Sequence, residues 1–486
     1  MNTAIPPGAR APHFWEATIS LFSLVVGISV SIVIYGLEPH IPMLLGIIVA
    51  SIVALRCGFK WHTIQNGMVR GITNALPATI ILIIVGILIG VWVLAGVVPT
   101  LIYYGLTFLS PSIFLPATLI ICAITALATG TSWGTTGTIG VALMGVGAGL
   151  GFPLPLVAGA VLSGAYFGDK MSPLSDTTNM APALAGTDLF THIKHMSYTT
   201  GVAFGLTFII ELVIGFQYGG GDSDLERIST ILALLDDNFI INVAMLLPPL
   251  VVVVVSYKKM PAIPGITLGV ITGVILAFGL QGADYSTVSN AAFSGFEAAT
   301  GNEDVDSLLS RGGMSSMMYT ISLVLVAMMF GGVMERTNQL KAIADKVLAL
   351  AKSTGGLITS TVLTCIGANM ILCDQYMAIV MGARTYAQAY EERGLAPENL
   401  SRAVEDSGTV TANLVPWNSG GAYQAATLGV ATIAYAPLAF FCWLSPIVTL
   451  LYGYMGWTIW KLEPKQDSDA EDASTAADNQ AQADNV

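Results

Sequence analysis

Apolar residues along this chain run together in stretches of about twenty, the length a helix needs to cross a hydrocarbon core of about 30 Å. Phe14 to Gly36, Leu76 to Val98, Phe239 to Ser256 and Thr427 to Leu451 are examples. By that length rule the chain makes roughly eleven to thirteen spans or broken spans. The pattern predicts an all-α polytopic membrane protein. Composition agrees: of 486 residues 54% are hydrophobic and 10% charged, with a mean hydropathy of +0.72, where a soluble domain has about 25% charged. The opening MNTAIPPGARAPHFWEA has no short apolar core followed by a small-residue cleavage site, so the first helix is expected to stay.

The pattern also repeats. Ile41-Pro42 with Leu45-Gly46 recurs as Ile263-Pro264 with Leu268-Gly269, each opening an apolar run. Trp61, Thr63, Asn66 and Gly71 find Tyr285, Thr287, Asn290 and Gly295 in the same order, and Gly90-Val91 meets Gly332-Val333 after an acidic insertion near Glu297 to Ser310. At that later spacing Pro155 falls on Pro397, Thr131-Ser132-Trp133 on Cys373-Asp374-Gln375, and Ser175-Asp176-Thr177 on Trp417-Asn418-Ser419. One order with one insertion points to a duplication.

Charge placement gives the direction of the copies. Arg56, Lys60 and Arg70 follow the first Ile-Pro segment and mark a cytoplasmic loop, whereas Asp284, Glu297, Glu303, Asp304 and Asp306 follow the second. The basic amphipathic stretch Glu335 to Lys352 suits the cytoplasmic face as well. The expected layout is an N-terminal cytoplasmic segment (1–14), a first inverted repeat (15–216), an acidic external loop (217–237), a second inverted repeat (238–462) and a disordered acidic tail (463–486). Broken helices and re-entrant hairpins are expected where the repeats meet.

The net charge of -12 lies mostly in the watery segments, which argues against a nucleic-acid partner. Cys57, Cys122, Cys365, Cys373 and Cys442 are odd in number and unclustered, so they read as reduced packing residues rather than disulfide or metal ligands. No cofactor motif is found, and the absence of G-x-x-x-x-G-K-[ST] argues against an ATP-driven pump. The lipid bilayer is the expected partner, and a homodimer is compatible with the sequence.

Four polar clusters interrupt the apolar background: Thr129 to Thr138, Leu162 to Met180, Ala368 to Met377 and Val404 to Gly421. Pro173 and Pro416 each break a helix and free backbone carbonyls, which with nearby hydroxyls can replace the water around a cation. Carboxylates within membrane are expensive unless they serve a pathway, which singles out Asp169, Asp176, Asp374, Glu405 and Asp406. One or two of them binding a cation and exchanging it for a proton would couple the two ions. The other reading places them in a watery vestibule or beside Lys170, Arg384 or Arg402. For the Gly- and Thr-rich run Thr129 to Thr138 close helix packing is the alternative. Ser132 satisfies G-x-S-x-G, yet no histidine follows His195 to serve as its base. His192 and His195, at i, i+3 beside Lys194, read as a solvated basic flank rather than a metal or pH site.

These clusters carry a family resemblance. Gly164 to Met196 (GAYFGDKMSPLSDTTNMAPALAGTDLFTHIKHM), TGTSWGTTGTIG, GVMERTNQL and EDSGTVTANLVPWNSGGAY resemble blocks of the NhaC family of sodium/proton antiporters, within the ion transporter superfamily. The resemblance implies a carrier that exports Na+, and Li+ beside it, in exchange for H+ across the cytoplasmic membrane, with the N-terminus inside. It carries over Ser132, Asp169, Ser175, Asp176 and Thr177 from the first copy and Asp374, Asp406, Trp417, Asn418 and Ser419 from the second. Ser172, Glu405 and Asn413 join them as polar residues of the same clusters. The Na+ ligands expected are Asp176, Ser175, Thr177 and Asp169. Family relatives that exchange malate for lactate supply the rival reading, and a cation channel a more distant one.

Overall fold

The structure is a computed structural model that describes residues 5–218 and 224–462. Every regular element among the described residues is helical. Seven helices are long and apolar enough to span a membrane, and two bent pairs bring the number to nine. That is fewer than the roughly eleven to thirteen the length rule suggests, because several crossings come in pieces. His40–Arg56 has 17 residues, Leu154–Met171 ends in Asp169 and Lys170, and Pro397–Val404 gives way to a π-helical turn at Glu405–Thr409.

The first half runs α1 Phe14–Ser29, α2 His40–Arg56, α3 Trp61–Leu94, α4 Val97–Phe108 and α5 Pro111–Thr129. After a break come α6 Ser132–Thr135 and α7 Val141–Gly149, then α8 Leu154–Met171, a second break, α9 Asp176–Ala185 and α10 Leu189–Tyr218. The second half begins with α11 Asp224–Asn238, α12 Leu247–Tyr257, α13 Ala262–Gly279, α14 Tyr285–Ser294 and α15 Glu303–Leu309. It continues with α16 Met318–Arg336, α17 Gln339–Ala349, α18 Thr354–Ile371, α19 Gln375–Glu391 and α20 Pro397–Val404. The interrupted α20 leads to α21 Ser419–Leu428, α22 Thr432–Tyr435 and α23 Phe440–Met455.

Helix ends match between the halves more closely than the residue letters do. α4 and α17 both open on a left-handed residue, Gly96 (φ 79°) and Asn338 (φ 57°). Gly130 (φ 70°) and Cys373 (φ 56°) turn the chain just before the N-caps Thr131 and Asp374. Ser175 caps α9 and Asn418 caps α21, both helices have 10 residues, and both end on left-handed glycines, Gly186 (φ 91°) and Gly429 (φ 70°). Gly96 and Asn338 keep the spacing of the sequence match, whereas from Gly130 onward the helix ends are one residue off it, so that Thr131 takes the cap position of Asp374, Ser175 that of Asn418, and Asp176 the position of Ser419. Identity of letters misleads here because Ser, Thr, Asn and Asp are interchangeable as N-caps.

The acidic loop expected at 217–237 is largely the helix α11. Ile231 and Leu235 are buried one turn apart, so an apolar stripe folds what composition marks as solvent-exposed. The tail 463–486 lies outside the described residues. α3 and α16 lock together through small residues: a Cβ at Gly71 would stand 1.9 Å from the Met328 carbonyl, so only glycine permits this approach.

Candidate cation site

Two chain breaks meet in a cleft of about 470 Å³. The first lies between α5 and α6, where left-handed Gly130 frees Thr131 to cap α6, its Oγ1 accepting the Gly134 N–H at 3.1 Å. The second lies between α8 and α9. Pro173 has no N–H to continue α8, and Ser172 Oγ donates to the Leu127 carbonyl (2.8 Å) while accepting the Leu174 N–H (3.2 Å). Ser172 therefore ties the second break to the end of α5. The same two helices touch higher up, where a Cβ at Gly168 would stand 2.1 Å from the Ala123 carbonyl. This close approach brings the last turn of α8 to the start of α6.

Asp169, in that last turn, is 5% exposed and lines the cleft. Its Oδ2 accepts both the Ser132 N–H (3.0 Å) and the Ser132 hydroxyl (2.6 Å), leaving Oδ1 for the cleft. Asp176, exposed at the first position of α9, lines the cleft too. Ser175 and Thr177 are buried between them with their hydroxyls 3.1 Å apart. Gln375 and Tyr376, from the start of α19, face the cleft from the other half, and Ser256, Lys259 and Pro261 stand at the α12–α13 turn beside it. The aromatic rings of Trp133 and Tyr423 stack at 4.3 Å and the Tyr423 hydroxyl donates to the Trp133 carbonyl at 2.8 Å, joining the first break to α21.

The structure thus gathers Ser132, Asp169, Ser175, Asp176 and Thr177, as the resemblance implies. None of the second-half candidates lines the cleft. Asp374 caps α19 by accepting the Met377 N–H (3.0 Å). Trp417 donates from Nε1 to the Met370 carbonyl (2.8 Å), Asn418 from Nδ2 to the Asn369 carbonyl (2.9 Å), and the Ser419 N–H to the Cys373 carbonyl (2.9 Å). Asn413 donates to the Val410 carbonyl at 2.7 Å. Glu405 is fully buried beside the hydroxyls of Thr177 and Thr409.

Asp406 is not a free ligand. Its Oδ1 pairs with the Lys170 ammonium, and its Oδ2 accepts from Thr199 (2.8 Å) and from Thr449, with Lys170 and Asp406 both fully buried. Lys170 also donates to Ser445 Oγ at 2.9 Å. Sequence adjacency suggested Asp169 as its neighbour, but consecutive helical side chains point about 100° apart. His192 and His195 are fully buried rather than solvated, as is Arg402. The signal available in sequence was that His192, His195 and Thr199 share one face of α10.

A helical multi-pass chain whose interrupted helices set carboxylates and hydroxyls around a cleft has the make-up of a secondary carrier. Residues 13–166 and 164–457 match the Na+/H+ antiporter family, and the chain belongs to that family. It is 41% identical over 447 residues to the Na+/H+ antiporter NhaC of Alkalihalophilus pseudofirmus, which spans 91% of this chain and 96% of that one. It is 40% identical over 454 residues to the malate-2H+/Na+-lactate antiporter of Bacillus subtilis, covering 93% and 96%. A solved structure of Neisseria gonorrhoeae MtrF, of a class of antimetabolite efflux pumps, aligns with 92% of this chain and 96% of its own at a TM-score of 0.41 and 14% identity.

Proposed function

We propose that this protein exchanges Na+, and Li+ beside it, for H+ across the cytoplasmic membrane by alternating access at the α5–α6 and α8–α9 breaks. The observation that carries the reading is the pairing of Asp169 and Asp176 with the Ser175 and Thr177 hydroxyls in one cleft. Oxygen donors of this kind suit a hard cation. Ser132 fixes Asp169 by two hydrogen bonds, so the carboxylate is oriented before the cation arrives. Two neighbouring carboxylates hold a cation or a proton, and the gain of one favours release of the other. The halves are read as inverted copies with the N-terminus inside, on the strength of the basic residues at Arg56, Lys60, Arg70, Lys258 and Lys259. By that topology the cleft, beside Lys259, faces the cytoplasm.

Carboxylate exchange, as in the malate/lactate relative's name, is the second reading. An organic anion needs a free cation, and Lys170 is bound to Asp406 while Arg402 is buried against Thr458. Among the described residues lining the cleft, a single cation, Lys259, stands against two carboxylates, Asp169 and Asp176. This favours the inorganic cation. The test is a pH-gradient assay in proteoliposomes with Na+, Li+, K+, malate and lactate offered separately. Na+ alone should collapse the gradient; a strict requirement for an organic anion would falsify the cation-only reading.

A further inference from the structure

α10 packs against α20, and the side chains of His192, His195 and Thr199 on that face of α10 are fully buried. His192 Nδ1 lies 2.8 Å from Ser401 Oγ, and His195 Nε2 lies 2.8 Å from the Thr458 carbonyl. Buried Arg402 donates from Nη1 to Thr458 Oγ1 at 2.8 Å and makes no ion pair among the described residues. Four nitrogens are left over: His192 Nε2, His195 Nδ1, and Nε and Nη2 of Arg402 are buried without a protein partner. Each such atom gives up its hydrogen bond to water on burial unless a buried water replaces it. Four along one seam are therefore a demand for water inside the protein.

The seam has two ends. At the α9–α10 turn Thr187 Oγ1 donates to Glu398 Oε1 at 2.5 Å, and both residues are partly exposed. Inward it meets Thr199, whose hydroxyl holds Asp406 of the Lys170 pair. The charged and titratable groups around the two histidines are Arg402, Asp406, Lys170 and Tyr198. None of the residues of the seam lines the cleft.

We propose that the α10–α20 seam is a proton route separate from the cation cleft, with His192 and His195 as relay residues; the proposal rests on the antiport reading. His192 takes a proton on one ring nitrogen and gives up the proton on the other, which leaves it neutral as the other tautomer, while His195, whose Nε2–H is held by the Thr458 carbonyl, takes and returns the proton at Nδ1 alone. The proton passes between Asp406 and the Glu398 end while Na+ uses the cleft.

Two rates separate the routes in proteoliposomes: Na+/H+ exchange read by a pH dye, and 22Na+/Na+ exchange at equal pH, which needs the cleft alone. In His192→Gln and His195→Gln the first should fall about tenfold or more, the scale of a lost proton-transfer group, while the second stays within about twofold of wild type. Ser401→Ala, which removes one hydroxyl from the same seam, should show the same split more weakly and serves if the histidine variants do not reach the membrane. Equal loss of both rates, or no change in either, overturns the route and makes the seam structural. Sodium-sodium exchange without any Na+/H+ exchange in the wild type sinks the antiport reading first, and the relay with it.

Discussion

At the α8–α9 break Ser175 caps a ten-residue helix, and at the α20–α21 break Asn418 caps another of the same length. The residue after the cap is Asp176 in the first and Ser419 in the second. In the first break the polar groups look outward into a cleft. In the second most are held by the protein: Asn418 holds Asn369, Trp417 holds Met370, and the Ser419 amide holds Cys373, while the buried Ser419 hydroxyl has no protein partner. The same backbone device leaves oxygens facing a cleft on one side and locks the chain on the other. Under the antiport reading, the first break alone offers carboxylates to a cation.

The comparison breaks most sharply at the carboxylates. Asp169→Asn or Asp176→Asn should weaken cation binding by about 3 kcal/mol, roughly a hundredfold, as read by the Na+ concentration for half-maximal exchange. Wild-type values in both variants would remove the first break from the mechanism. Next is the pair that joins the halves. Lys170→Met strands Asp406 and should cost about 3–5 kcal/mol, seen as lost accumulation in the membrane, whereas Lys170→Met with Asp406→Leu should recover most of it. No recovery in the double variant would give Lys170 a role beyond pairing.

The caps test the comparison itself. Ser175→Ala and Asn418→Ala should each lower stability by about 1 kcal/mol, measured as thermal inactivation in detergent. Only Ser175→Ala should also weaken Na+ binding; a matching loss in Asn418→Ala would show that both breaks bind. The smallest effect belongs to the insertion in the second half. The Thr300 hydroxyl and amide hold the Asp306 carboxyl below the usual carboxylate range. A depressed carboxyl stabilises above its unfolded value, near 4, and that contribution fades as pH falls through the lower folded value. Hydrogen exchange of residues 297–310 should therefore quicken only below about pH 4, and in Thr300→Ala begin at a higher pH.

Much of this architecture was legible because bilayer length and proline act locally. The apolar runs marked the spans, and Pro173 within LSGAYFGDKMSPLSDTTNM marked the break that lines the cleft. What stayed hidden was tertiary. Lys170 and Asp406 lie 236 positions apart, and no local rule says that Lys170 prefers Asp406 to its neighbour Asp169. Composition concealed α11, where Ile231 and Leu235 are buried beside exposed Asp236 and Asp237. The histidines looked solvated because Lys194 lies between them, but on a helix it faces away. The one-residue slip between the halves arose because caps are chosen for their oxygen rather than their identity.

The Lys170–Asp406 pair has an electrical consequence. A charge crossing the membrane potential changes energy by about 2.3 kcal/mol per 100 mV, and a buried ammonium beside a buried carboxylate sums to zero. The pair can ride through the voltage without doing work on it. Under the antiport reading, the potential dependence of exchange then reports only the cations and protons that cross, and so distinguishes a carrier that trades one ion for one from a carrier that trades unequally.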